Sequence, residues 1–125
     1  MADELIPPDV REFILTYIDS IAQLEALILL ANQSKERWTI SRVAAQLYID
    51  ESHAKPVLDR MCDDGLLDCA DGLFWFNGDP AGQREIVERL SSLYARHLIP
   101  VTNLVHAKPS GARAFAAAFK LRKDR

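Results

Sequence analysis

Cysteine is scarce in this chain, and its spacing excludes two classes of protein at once. Only Cys62 and Cys69 occur among 125 residues, and they do not form a Cys-x-x-Cys pair. A structural zinc site needs more ligands at shorter spacing, and a secreted disulfide scaffold is denser in cysteine. Reduced thiols in a cytoplasm are the economical expectation. Histidine is equally sparse: His53, His97 and His106 fall in different stretches without a His-x3-His pair. No glycine-rich phosphate cradle is present either. The chain is therefore expected to be no enzyme and to hold no metal or cofactor.

Long apolar runs are also missing. No stretch approaches the roughly 18 uncharged apolar residues of a membrane-crossing helix, and the opening MADELIPPD is acidic with no apolar signal core. A soluble, untargeted cytoplasmic protein without a membrane partner is expected. An excess of positive charge is the third absence, since the net charge is −3 where many small DNA-binding domains are strongly basic. The charge is nonetheless uneven. Residues 1–20 carry five acids against Arg11, whereas residues 108–125 carry six bases against Asp124. The helix-end cations Lys120, Arg122, Lys123 and Arg125 favour the negative end of a helix dipole and solubility.

What is present is an ordinary globular composition, 49% hydrophobic and 26% charged, enough for a single modest core. Its centre of organisation is residues 38–76, WTISRVAAQLYIDESHAKPVLDRMCDDGLLDCADGLFWF. Trp38 and Thr39 read as a short extended entry. Val43, Ala44, Leu47 and Tyr48 then fall at helical spacing, with Ser41, Arg42 and Gln46 on the other side. After a turn at residues 49–52, a second helix over 52–64 buries Ala54, Val57, Leu58 and Met61. Asp50 or Ser52 is expected to cap it, with Pro56 near its first turn and Gly65 ending it. Two short apolar runs around Asp71-Gly72 make a hairpin. That hairpin carries acids and no Lys or Arg, so it offers nothing cationic to a minor groove.

Before this centre, Pro7 and Pro8 open a helix, and an apolar stripe runs from Val10 to Ala31. Ser20 followed by Gln23 has the pattern of a capping box, predicting a break near Asp19 and Ser20. Residues 21–31, IAQLEALILLA, are apolar on nearly every side and should be buried. After the centre, NGDPAG is a break, and a long amphipathic helix follows that Pro100 should kink or split. A last helix is expected around Phe115 and Phe119.

Strand entry, helix, turn, helix and hairpin in that order describe a winged helix-turn-helix. The blocks WTISRVAAQLYI and SHAKPVLDRMCDDGLL resemble the bacterial winged-helix regulators of the MarR and PadR type over roughly residues 20–107. The resemblance implies a mainly α fold with a short two-stranded wing and additional N- and C-terminal helices: residues 1–19 as an N-terminal helix, 20–77 as the winged core and 78–125 as a probable dimerisation element. It also implies double-stranded DNA as partner, with the second helix of the motif in the major groove. On that mapping Ser52, His53 and Lys55 face bases, Arg37, Ser41, Arg42 and Gln46 face phosphates or groove edges, and Arg60 reaches a phosphate. A homodimer is expected through Ile86, Leu90, Leu93, Tyr94, His97, Val101, Phe115 and Phe119, because the terminal helices carry more apolar surface than a small monomer leaves wet. Residues 50–64 hold two cations against five acids. Since counterion release by Lys and Arg supplies much DNA affinity, an adaptor binding a protein partner instead of DNA is the alternative function.

Overall fold

The computed structural model describes residues 6–80 and 82–107. Phe115, Phe119 and the basic closing segment lie outside the described residues. The order of elements is α1 (Pro8–Tyr17), α2 (Ile21–Asn32), α3 (Ile40–Leu47), α4 (Glu51–Asp63), β1 (Leu67–Ala70), β2 (Leu73–Phe76), α5 (Gln83–Arg96) and α6 (Leu98–Ala107). The protein is thus mainly helical with one small antiparallel sheet. No single helix among the described residues is long and apolar enough to cross a membrane.

The break between α1 and α2 falls where the capping pattern predicts it. The Gln23 amide donates to Ser20 Oγ at 3.1 Å, which satisfies one of the free amides at a helix start. The Gln23 side chain works on the preceding residues as well, with Nε2 donating to Tyr17 O at 2.7 Å and Oε1 accepting from the Asp19 amide at 2.9 Å. These bonds fix a turn of 115° between the two helices. They also account for a glutamine buried to 3% exposure, since a buried amide needs partners for both ends.

Helix α2 is the hub of the core. Leu24, Ala26, Leu27 and Leu30 are fully buried, and α2 packs against α3, α4, α5 and β2. The hairpin registers Leu67 with Phe76 and Ala70 with Leu73. Its turn residues Asp71 and Gly72 have φ of 55° and 77°, the paired positive angles of a tight hairpin turn. The extended entry contracts to one residue: Trp38 and Phe74 exchange two backbone hydrogen bonds of 2.8 Å. Ile40 already begins α3, capped by Thr39 Oγ1, which accepts from the Arg42 amide at 3.1 Å.

Two expectations are corrected at the start of α4, and one is met at the joint between α5 and α6. Asp50 stands at the N-cap position of α4 but its carboxylate makes no capping bond, and α4 begins at Glu51, one residue before Ser52. Pro56 consequently lies inside the helix, where the missing amide leaves the Ser52 carbonyl without its usual donor. The long C-terminal helix is split at His97, whose φ and ψ are −130° and 57°. Pro100 supplies the cause, because its ring would clash with the Arg96 carbonyl in a continuous helix.

Candidate functional site

All eight residues expected at a DNA surface are exposed: Arg37, Ser41, Arg42, Gln46, Ser52, His53, Lys55 and Arg60. Helical geometry explains those on α4. Ala54, Leu58 and Met61 turn inward, so Ser52, Pro56, Asp59, Arg60 and Asp63, on the opposite side of the wheel, turn outward.

Arg37 and Arg42 are brought together at the entrance to α3. One guanidinium nitrogen of Arg42 donates to Arg37 O at 3.4 Å. The Arg37 guanidinium lies 3.8 Å from the centre of the Trp75 ring and that of Arg42 lies 4.2 Å from the Trp38 ring. Such stacking contributes about 0.5–1 kcal/mol at exposed sites, enough to orient each arginine. Trp38 is itself 4% exposed and its indole N–H is buried without a partner, so packing and the overlying guanidinium hold the ring. The sequence contains both indoles and both arginines, but nothing in local spacing pairs them.

The cations of α4 meet carboxylates. Lys55 Nζ lies 2.6 Å from Asp59 Oδ2, and this hydrogen bond pushes the ammonium above its ordinary value. Arg60 Nε lies 3.7 Å from Asp64 Oδ2. Both pairs have the i,i+4 spacing that puts partners on one helical face, a signal already present in the sequence. Arg42 also reaches Glu36 at 3.5 Å. Exposed pairs of this kind are worth roughly 0–1 kcal/mol, so a phosphate can take the cation, but the carboxylate then remains beside it.

Gln46 borders an open depression of about 420 Å3 with Glu25, Ile28, Leu29, Tyr48 and Tyr94. Tyr94 Oη donates to Glu25 Oε2 at 3.2 Å, and burial with the nearby Glu25 charge pushes the phenol upward. Tyr48 closes the turn between α3 and α4 in the left-handed conformation, φ 59°, with its side chain 95% exposed. Helical spacing groups Tyr48 with Val43, Ala44 and Leu47 on the apolar side of α3, but the structure sets it at the C-cap as a surface aromatic.

The expected dimer face needs correction. Leu90 and Val101 are fully buried within the chain's own core and are unavailable to a partner. Ile86, Leu93 and Tyr94 are half-buried against the same core, and His97 is half-buried at the helix break. The large apolar side chains left outside on α5 and α6 are Leu98 and Ile99, 49% and 65% exposed, neither of them among the residues expected at the dimer face. No cluster of His, Cys, Asp or Glu suited to a metal occurs among the described residues. No family model matches the chain, and no curated protein is similar to it.

Proposed function

We propose that α2, α3, α4 and the β1–β2 hairpin form a winged helix-turn-helix of the MarR/PadR-like kind, and that the protein is a DNA-binding transcriptional regulator acting as a dimer. The observation that carries this reading is the exposure of all eight candidate contact residues, combined with the stacking that holds Arg37 and Arg42 at the start of α3. In such a motif the first turns of α4, with Ser52, His53 and Lys55, meet base edges, and the α3 entrance meets the backbone. Two protomers joined through Leu98 and Ile99, with Leu93 and His97 beside them, would read half-sites about one helical turn apart.

The carboxylates of α4 set the affinity. Asp59 holds Lys55 and faces outward with Asp63, so duplex binding is weak and strongly salt-dependent. Titration of a labelled duplex pool tests this at several salt concentrations. Arg42→Ala reduces the slope of log affinity against log salt by about 0.9, one phosphate contact. Lys55→Ala weakens binding by about 1–3 kcal/mol if it reads a base, and Asp59→Asn strengthens it by releasing Lys55. A wild-type protein with no salt-sensitive retention, and no gain from Asp59→Asn, overturns the DNA reading.

A protein-interaction adaptor is the second reading, favoured by the acid pairing of Lys55, Arg60 and Arg42 and by the bare Tyr48 ring. Its signature is a stoichiometric protein complex that Tyr48→Ala abolishes and Asp59→Asn leaves intact.

A further inference from the structure

The chain has two thiols, which the proposed function does not use, and the fold brings them together. Cys62 sits on the last turn of α4 and packs against the core. Cys69 is exposed on β1. Between them the chain reverses tightly: Gly65 takes φ 80° and the Leu66 amide donates to Met61 O at 2.9 Å. The strand then runs back along the end of the helix it has just left. Alternation puts Cys69 on the same side of β1 as Leu67, which is 2% exposed, so the Cys69 thiol is turned toward α4. Helix α4 packs against β1, and Cys69 is near enough to raise the Cys62 thiol.

We infer that Cys62 and Cys69 form a dithiol oxidation site that closes to an intramolecular disulfide on reaction with a small disulfide such as oxidised glutathione, tying the end of α4 to the hairpin. Exposure sets the order of steps. The Cys69 thiolate attacks one sulfur of the glutathione disulfide; a Cys69–glutathione bond forms, the reagent S–S bond breaks and one glutathione leaves as thiolate. Cys62 then gives its proton to solvent, and its sulfur attacks Cys69 Sγ and expels the second glutathione as thiolate. Two protein thiols are oxidised and one glutathione disulfide is reduced to two thiols.

Cys62 is unsuited to be the first nucleophile. Burial, then the neighbouring Cys69, Asp59 and Asp63, hold its thiol well above the ordinary value, and only the thiolate attacks. Once Cys69 is bonded to glutathione its own negative charge is gone, and that part of the barrier to ionising Cys62 goes with it. Proximity does the rest, because the attack is intramolecular.

The folded full chain is incubated with oxidised glutathione, free thiols are counted after denaturation, and the intact mass is measured. The wild type goes from two free thiols to none, loses the mass of two hydrogens and runs as a single chain on a non-reducing gel. Cys62→Ser stops at a stable glutathione adduct on Cys69, and Cys69→Ser keeps its thiol. A wild type that retains the Cys69 adduct, keeps both thiols or forms covalent dimers overturns the inference. The wild-type result decides alone, so a poorly folded serine variant does not obscure it.

Discussion

Helices α2 and α4 pack against each other and are built on opposite principles. Helix α2 carries one charge, Glu25, in twelve residues and buries Gln23, Leu24, Ala26, Leu27 and Leu30. Helix α4 is thirteen residues long, buries only Ala54, Leu58 and Met61, and sets Glu51, Lys55, Asp59, Arg60 and Asp63 along the remainder. The contrast separates support from contact within one small domain: substitutions in α2 act on folding, and those on the outer side of α4 act on partners. The sharpest way to break it is Leu27→Ala, at a site with no exposure. That change should destabilise by about 2–5 kcal/mol, read as a fall in Tm, whereas Asp59→Asn stays within about 0.5 kcal/mol of the wild type. An unchanged Tm for Leu27→Ala would remove α2 from its place at the centre.

The next effect tests whether a polar residue in the supporting helix obeys the same logic. Gln23→Leu keeps the size and apolar character of the site but removes the hydrogen bonds that the side chain makes to the Tyr17 carbonyl and the Asp19 amide. An unsatisfied buried group costs about 1–3 kcal/mol, which urea denaturation measures directly. A variant as stable as the wild type would mean that water replaces the amide and that the bend between α1 and α2 does not depend on it.

Tyr48 sharpens the comparison from the contact side. Its left-handed backbone costs a non-glycine residue roughly 1–2 kcal/mol, and a side chain 95% exposed returns little packing. Tyr48→Gly therefore gains about 0.5–1 kcal/mol after the entropy that glycine forfeits on folding, seen as a small rise in Tm. The same variant divides the two functions, because DNA retention survives the change and an adaptor complex does not.

Much of this framework was legible along the chain, and the part that was not has a common cause. Ser20 with Gln23, Gly65 before the hairpin and Asp71-Gly72 within it are local signals, each satisfied by bonds or angles a few residues away. The Lys55–Asp59 pair was equally local. The stacking of Arg37 on Trp75 joins residues 38 positions apart, and spacing carries no information about it. Periodicity likewise placed Leu90 and Val101 on an apolar stripe correctly, but could not say what covers it; the answer is the chain's own core. Asp50 shows the converse, a residue of the right type at the right position whose carboxylate makes no cap.

The smallest expected effect joins the supporting layer to its outer wall. Arg89 on α5 grips Asp9 at the start of α1 through two hydrogen bonds, one of 2.9 Å. The hydrogen bond from Arg89 holds the Asp9 carboxyl below its ordinary value, and the backbone amide of Val10 and the guanidinium charge add to it. A carboxylate that ionises more readily in the folded state stabilises the fold above its unfolded pKa and loses that contribution as pH falls through the folded one. Both side chains are exposed, so solvent screening keeps the contribution small. Asp9→Asn should therefore lower the urea midpoint slightly near neutral pH, and the two proteins should converge as pH drops below the carboxylate range. A constant gap at all pH values would show that the asparagine acts by packing and not by charge. An absence of any gap would show that α1 is held to α5 by Val10, Phe13 and Ile14 alone.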